Sequence, residues 1–239
     1  MHNPPVTPAL SRGPRSSTLN GMLAWNDVGC RLRAGVTVAL LLSACGRMDR
    51  LASRGPVAGP SARETARCHA DLTALGVSFQ ALPDRQTGPG CGLIGTVKLL
   101  DIGVPTNNLG AIRCGQARAF AAWARNGVAP AAYQMLGSEL ARIDTFGSYA
   151  CRNVVGGSGP PRRSGHAIAN AIDVSAFVLK DGRRVTVLND WRSADPAIRE
   201  FLQTVRRSAC RRFGTVLSPD YNAVHANHFH LEDAGRLCR

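Results

Sequence analysis

The stretch His225-Ala-Asn-His228-Phe-His230, close to the end of the chain, holds three of the protein's six histidines. If it forms a β-strand, His228 and His230 point the same way, since side chains alternate with a period of two. Phe229 and Leu231 then pack on the opposite side, against a core. The stretch therefore predicts a strand near the C-terminus that presents two histidines to one cleft.

A second stretch, Ser164-Gly-His166-Ala-Ile-Ala-Asn-Ala-Ile-Asp173, supplies another histidine and an aspartate seven positions later. A catalytic zinc ion takes three protein ligands from imidazole and carboxylate and leaves a fourth position for water, whose pKa falls to about 7. Asp173 lies among Ala, Ile and Val, so a buried carboxylate there needs a cation or hydrogen bonds. We predict that His166, Asp173 and His230 hold a zinc ion.

Two further histidines lie beside this predicted ligand set. His228 or His225 could act as the base that accepts a proton. Glu232 could be a partner for an imidazole N–H, with a solvated surface residue as the alternative. Either pattern alone, a His-x-His or a histidine and an aspartate seven residues apart, is common in proteins without a metal ion. The two patterns together, in a chain with few other histidines, indicate a metal site.

These residues resemble the zinc signature of the LAS-type metallopeptidases. That group includes D-Ala-D-Ala carboxypeptidases and dipeptidases, the penicillin-insensitive murein endopeptidase and the Hedgehog signalling domain. The pattern is Ser164-x-His166-x-x-Ala169-x-Ala171-x-Asp173, with His228-x-His230 further on; Ala169 stands where the family has Gly, which touches no ligand. The resemblance also implies that Arg152 faces the substrate cleft, where it could bind a carboxylate or stabilise an oxyanion. An ordinary surface arginine is the alternative.

More narrowly, the stretch from about Cys68 to Arg239 resembles the bacterial extensin-like C-terminal domain family. The shared landmarks are Thr145-Phe-Gly-Ser-Tyr-Ala-Cys-Arg152, Gly165-His-Ala-Ile-Ala-Asn-Ala-Ile-Asp-Val174 and Pro219-Asp-Tyr-Asn222. We expect one α+β domain similar to the LAS fold, with a central antiparallel sheet flanked by helices. The metal cleft would lie on one face of that sheet.

The LAS resemblance implies zinc-dependent hydrolysis of peptide bonds in peptidoglycan stem peptides, by a D-Ala-type carboxypeptidase or a murein endopeptidase. The alternative is a zinc-containing domain without hydrolytic activity that binds the cell wall or a protein partner, since Hedgehog keeps this scaffold in a signalling molecule. The presence of both His225 and His228 favours an enzyme. We expect a monomer.

Length and charge restrict the other classes of function. The chain has 239 residues, enough for one domain with a substantial core and an appendage. Its net charge of +13 suggests nucleic acid, but the arginines are scattered in pairs and no recognised nucleic-acid module is present. We therefore expect no nucleic-acid partner. A basic surface suits an anionic cell wall or lipid head groups.

Residues 1–45 are predicted to form an N-terminal extension and a lipoprotein-type signal peptide. Two arginines precede an apolar run over residues 34–44, which is too short to span a bilayer and is typical of a secretory signal. Leu42-Ser-Ala-Cys45 resembles a lipobox, so Cys45 would be lipidated and would anchor a periplasmic protein to a bacterial membrane.

Residues 46–62 are predicted to be a flexible linker, and residues 63–239 the zinc domain. The domain's cysteines are Cys68, Cys91, Cys114, Cys151, Cys210 and Cys238. An even number without a Cys-x-x-Cys pair predicts three disulfides in an oxidising compartment, although six cysteines allow fifteen pairings. A zinc–thiolate site is the alternative, but its spacing is missing. The preferred pairs are sequential neighbours, Cys68–Cys91, Cys114–Cys151 and Cys210–Cys238.

Apolar periodicity and turn residues predict the elements of this domain. The predicted helices are Ala62–Leu75, Leu109–Asn126, Pro130–Gly137 and Asp195–Phe213. The predicted strands are Val77–Leu82, Ile94–Leu100, Leu140–Tyr149, Asp173–Leu179, Arg184–Leu188 and Thr215–Leu217. Asp181-Gly182 is a hairpin signal between two of these strands.

Overall fold

The structure, a computed structural model, describes residues 57–156 and 160–239. Its α-helices are α1 (Ala62–Ala74), α2 (Cys114–Trp123), α3 (Ala129–Leu136), α4 (Val187–Asp190) and α5 (Pro196–Cys210). Its strands are β1 (Ser78–Ala81), β2 (Arg85–Gly88), β3 (Cys91–Leu93), β4 (Thr96–Asp101), β5 (Thr106–Asn107), β6 (Ile112–Arg113), β7 (Leu140–Gly147), β8 (Ala171–Leu179), β9 (Arg184–Thr186), β10 (Thr215–Leu217), β11 (Phe229–Glu232) and β12 (Leu237–Cys238). The predicted signal peptide and the lipidation of Cys45 lie outside the described residues.

The central sheet has seven strands, in the order β12-β10-β11-β8-β7-β5 with β9 also paired to β8. Its inner pairs, β10–β11, β11–β8, β8–β7 and β8–β9, are antiparallel. Only the outer pairs β5–β7 and β10–β12 run parallel within the part of the chain that is described. The predicted α+β class, with a mainly antiparallel central sheet and flanking helices, is confirmed.

Helices cover one face of this sheet through buried aromatic side chains. Trp123 of α2 and Phe201 of α5 pack against Phe177 of β8, with ring centroids 6.1 Å and 5.3 Å away. Phe229 of β11 lies 6.4 Å from the same Phe177 ring. Burying each such side chain contributes roughly 1.5–3 kcal/mol. The contact with Phe177 shows that Phe229 faces the core, as predicted, so the opposite face of β11 carries His230.

The strand β8 changes the face that it buries at Ser175. The pairing between β7 and β8 shifts there, so Ser175 has no opposite residue in β7. Before this bulge, Ile172 and Val174 belong to the core, and after it Phe177 does. A regular strand would put residues 173 and 177 on one face. The bulge instead lets Asp173 face the cleft while Phe177 faces the helices.

The predicted helix Leu109–Asn126 is correct in type but begins too early. Ile112 and Arg113 pair with β4 as strand β6, so α2 begins at Cys114. After Trp123 the chain continues through the π-helical turn Ala124–Val128 into α3. The other predicted elements lie within a few residues of those observed, except that Val187 and Leu188 belong to α4 because the Thr186 hydroxyl caps a helical turn there.

All six domain cysteines form disulfides, as predicted, but two of the three preferred pairs are wrong. The pairs are Cys68–Cys114, Cys91–Cys151 and Cys210–Cys238. Cys68 in α1 meets the first residue of α2 because these helices pack together. Cys91 meets Cys151 because β3 lies against the segment after β7. These are contacts between distant parts of the chain, which spacing along the sequence does not reveal.

The end of the predicted linker lies against the domain. The Ala58 carbonyl accepts a hydrogen bond from Arg113 Nη2 at 2.7 Å, and Ser61 caps α1 in a reciprocal capping box with Glu64. Within the residues described, no helix has the length and apolar character needed to cross a bilayer.

Candidate metal centre

Three different elements bring the predicted ligands together. His166 lies on the 3₁₀ turn Gly165–Ile168, and Asp173 on β8 is paired directly opposite His230 on β11. His166 Nε2 is 3.1 Å from Asp173 Oδ1, His230 Nδ1 is 3.0 Å from it, and the two nitrogens are 3.2 Å apart. All three residues are at least nine-tenths buried. The structure therefore gathers this set at one point, where it could hold a metal ion.

The turn that carries His166 is held at both ends. The Ser164 hydroxyl accepts a hydrogen bond from the His166 backbone N–H at 3.3 Å. Ala169 ends the turn with a φ of 53°, in the left-handed region. A residue with a Cβ costs about 1 kcal/mol in this conformation, which glycine adopts freely.

Outer partners orient both imidazoles. His166 Nδ1 is 3.2 Å from the Ser148 carbonyl, which can only accept, so Nδ1 carries the hydrogen and Nε2 keeps its lone pair. His230 Nε2 is 3.2 Å from Glu232 Oε2, so by the same reasoning a neutral His230 keeps its lone pair on Nδ1. Both lone pairs then point at the carboxylate of Asp173. Three acceptors converging in this way require a positive charge between them, either a proton or a metal ion.

The spacing of the three atoms fits a zinc ion. Ligand atoms about 2.0–2.1 Å from a tetrahedral zinc lie roughly 3.3–3.4 Å from one another. The observed separations of 3.0–3.2 Å are slightly shorter, so a small outward movement of the side chains would admit the ion. Two imidazoles and one carboxylate are also a donor set that zinc accepts.

The electrostatics of this group follow from burial and close contacts. Burial alone would raise the pKa of Asp173, but the imidazoles of His166 and His230 outweigh it and hold that pKa well below its usual range. Burial opposes protonation of His230, yet its hydrogen bonds to Asp173 and Glu232 prevail and raise its pKa to about 9. A proton on His230 thus takes the place of a cation, and a metal ion must displace it.

The other two histidines, His225 and His228, lie just before β11 and have neutral partners. His225 Nδ1 is 2.7 Å from Asn222 Oδ1, and His228 Nδ1 is 2.8 Å from Asn227 Oδ1. Both rings donate through Nδ1 to these amide oxygens, which leaves Nε2 as a proton acceptor. His228 Nε2 lies 3.4 Å from Asp173 Oδ1, so His228 and His230 do face the same site, as predicted.

Burial keeps this outer pair uncharged. It is the largest cause that lowers the pKa of His225 to about 4 and the pKa of His228 below its ordinary value. The neighbouring His230 lowers both further. At neutral pH both imidazoles are therefore neutral, which is the form that a general base requires.

Arg152 also faces the site, as predicted. Its Nη2 lies 4.0 Å from Asp173 Oδ2, and the adjacent Cys91–Cys151 disulfide ties its segment to β3. Together with His225, His228 and His230, Arg152 lines a cleft of about 430 Å³. The group can thus combine a metal ion, two neutral bases and a guanidinium in one open space.

Sequence reasoning left three contributors unassigned. Asn222 and Asn227 orient the outer histidines, and the Ser148 carbonyl orients His166. Asn222 stands three residues before His225 and Asn227 directly precedes His228, so a search for amides beside the histidines would have found both. A backbone carbonyl gives no such signal. Of the two alternatives for Glu232, the contact with His230 is the one observed.

The fold and the site define an α+β domain with a buried His/Asp/His group of the metal-binding type. Over residues 66–239 the chain matches the family model described as Extensin-like protein C-terminus, and it belongs to that family. No curated protein and no solved structure matches the chain.

Proposed function

We propose that this domain is a zinc-dependent peptidase that acts on peptidoglycan stem peptides, with a site similar to that of the LAS-type metallopeptidases. The observation that carries the proposal is the convergence of His166, Asp173 and His230, the last of which lines an open cleft, beside two neutral imidazoles. A carboxypeptidase and an endopeptidase are both compatible with it.

His166, Asp173 and His230 would hold the zinc ion. When bound, zinc supplies a Lewis acid that polarises the scissile carbonyl and makes water a nucleophile near neutral pH. Glu232 and the Ser148 carbonyl keep the ligand imidazoles in the tautomers that the metal needs. Loss of such outer partners typically weakens metal affinity about 10–100-fold.

The proton is handled by His228. Its Nε2 accepts the proton of the attacking water and returns it to the amine that leaves, while Nδ1 remains bonded to Asn227. His225 lies with its ring centroid 5.2 Å from that of His228 and helps to keep the site neutral. Arg152 places a permanent positive charge beside the carbonyl oxygen, where it would stabilise the developing oxyanion.

The proposed location is the periplasm, with a lipid anchor at Cys45. The three disulfides suit an oxidising compartment. The charge of +13 suits an anionic wall or membrane surface. Peptidoglycan is the peptide polymer of that compartment, which supports it as the substrate.

The test combines metal content with product analysis. The purified protein, never exposed to a chelator, is assayed for bound metal and incubated with muropeptides, and products are followed by mass spectrometry. We expect one zinc per chain and a cleavage that is lost in His228→Ala. His69→Ala, which changes a histidine that packs on Phe79 away from the cleft, should retain both properties.

The other outcomes separate the remaining possibilities. Metal without cleavage of any muropeptide would overturn the peptidase and leave a zinc-containing domain that binds the wall or a partner. Absence of metal from the protein would overturn the site itself.

A further inference from the structure

The cleft differs in character at its two ends. At one end, in the loop between β10 and β11 and on the facing segment, the exposed side chains Tyr221, Val224 and Val155 line it. At the other end, beyond Glu232, the charged residue of the lining is the exposed Arg236. The metal ligands lie between an apolar end and a cationic end.

The strand register gives the position of the cationic end. Leu217 is paired with His230, whereas Thr215 is paired both with Glu232 and with Leu237, next to Arg236. Two residues along a strand span about 7 Å, and β12 lies two strands, about 10 Å, from β11. Leu237 is thus on the order of 12 Å from His230, and the Arg236 backbone, one residue further along, is roughly 14 Å away; the long side chain of Arg236 covers part of that distance. An extended peptide advances roughly 3.3–3.6 Å per residue, so the guanidinium can meet a group two or three residues from the reacting bond.

Two of the three arginines that line the cleft are not neutralised by described residues. Arg162 lies beside the apolar end, since its carbonyl accepts a hydrogen bond from the Val154 N–H at 2.9 Å. Arg162 and Arg236 form no ion pair or side-chain hydrogen bond within the described ranges. By contrast, Arg183 and Arg184 outside the cleft each bind an aspartate. The carboxylate that lines the cleft, Glu232, is already engaged with His230. The cleft therefore keeps unpaired positive charge for a ligand.

We propose that the unpaired Arg162 and Arg236 make this cleft an anion subsite that binds side carboxylates of the peptide, Arg236 at a position two or three residues from the reacting bond. The apolar end receives a small aliphatic part of the same peptide. A guanidinium holds a carboxylate in a bidentate, charge-assisted pair, so these arginines determine specificity for acidic peptides. The inference rests on the proposed function, because it takes the ligand to be a stem peptide.

The test uses a stem tetrapeptide in two forms, one with free carboxylates and one in which the side carboxylates are amidated. Binding to the full-length, zinc-loaded protein is measured by calorimetry. Wild type should prefer the acidic form about 10–100-fold, the range of one or two charge-assisted hydrogen bonds. The Arg162→Gln/Arg236→Gln double variant should lose this preference while its affinity for the amidated form stays the same. Arg211→Gln, at the exposed end of α5, is the matched control and should keep the preference.

Equal binding of both forms by wild type would overturn the subsite, as would a preference that survives in the double variant. Tighter binding of single-stranded DNA than of the acidic peptide, lost in the double variant, would mean that the arginines serve a polyanion and that the peptide assignment is wrong.

Parallel measurements on His228→Ala separate this inference from the proposed activity. A preference for the acidic peptide without hydrolysis by wild type would support the subsite and reject the peptidase. Hydrolysis with the same KM for both peptides would support the peptidase and reject the subsite. If both hold, the double variant should raise KM for the acidic peptide and leave kcat unchanged.

Discussion

Two buried carboxylates on neighbouring strands of the central sheet have different partners. Asp144 on β7 is 6% exposed and Asp173 on β8 is 9% exposed. Asp144 accepts hydrogen bonds from Arg142 at 2.7 Å and Arg184 at 3.1 Å. Asp173 instead has imidazole nitrogens at 3.1 Å and 3.0 Å, and its nearest guanidinium, that of Arg152, is further away at 4.0 Å. The cost of burying a carboxylate is therefore offset by guanidinium groups at Asp144 and by imidazoles at Asp173.

The difference teaches why only one of them forms a candidate metal site. A guanidinium is charged at every relevant pH and has no lone pair to offer, so Asp144 is neutralised permanently and its cluster is complete. An imidazole can be neutral and can present a lone pair. The imidazoles beside Asp173 can therefore bind the same cation as the carboxylate does, whereas a guanidinium would itself be the cation. Both carboxyl groups have a lowered pKa, so the pKa alone does not distinguish them.

The largest expected effect is the loss of zinc binding when the carboxylate of Asp173 is replaced by an amide. Asp173→Asn should weaken zinc binding by more than about 100-fold, because loss of a direct ligand exceeds the loss of an outer partner, and it should abolish hydrolysis. Asp144→Asn is the matched control and should bind zinc as wild type does. Calorimetric titration with zinc measures both, and equal affinities in the two variants would refute the distinction.

Zinc should also stabilise the fold through the Asp173 group. At a free zinc concentration of 100 times Kd, the stabilisation is about 2.7 kcal/mol, which corresponds to a rise in Tm of roughly 5–10 °C for a domain of this size. Thermal unfolding with the disulfides intact should show this rise in wild type and in Asp144→Asn. It should be absent from Asp173→Asn, and a rise there would mean that zinc binds elsewhere.

Glu232→Gln tests whether the outer carboxylate makes His230 a better ligand. The amide can still accept from His230 Nε2 but carries no charge, so zinc affinity should fall about 10–100-fold. At saturating zinc, kcat should change little because Glu232 does not contact the reacting bond. Unchanged affinity in a zinc titration would show that Glu232 is only a neighbour.

The smallest effect concerns acid stability and separates Asp144 from the metal site. Although burial opposes ionisation, Arg142 and Arg184 lower the pKa of Asp144, so the folded protein binds fewer protons there than the unfolded chain does. This stabilisation is present above the unfolded pKa of about 4 and is lost as pH falls through the lower folded pKa.

Asp144→Asn should accordingly reduce the free energy of unfolding by roughly 1–3 kcal/mol at pH 7. The gap to wild type should close below about pH 4. Denaturant unfolding of the metal-free proteins across this range provides the measurement. A gap that is independent of pH would mean that the loss comes from packing rather than from charge.

The histidine motif was predictable because its geometry is local. The spacing of His228 and His230 predicted both rings on one side of a strand, with Phe229 on the other. The structure has both rings at one site, although β11 begins at Phe229, one residue after His228. The direction of Asp173 was not predictable in the same way, since it depends on the bulge at Ser175. Because β8 is buried almost throughout, its sequence does not alternate between polar and apolar residues over its whole length, and the bulge therefore causes no clear break in a pattern.

The disulfides show the same limit. Their number follows from composition, and Cys210–Cys238 follows from short spacing. The partners of Cys68 and Cys91 depend on which helix packs on which and on where β3 lies, which are properties of the assembled domain.

The sequence by itself determined the α+β class, the candidate ligand set and the side of β11 that carries His230, because backbone periodicity and ligand chemistry act over a few residues. Only the tertiary structure decided that Ser148 and Glu232 set the tautomers of His166 and His230, and that Arg236 shares their cleft. Those contacts depend on how the whole domain packs, which sets both the distance between segments and the direction of each side chain. Hydrogen-bond direction and cleft shape require coordinates, since both depend on distances of a few ångströms.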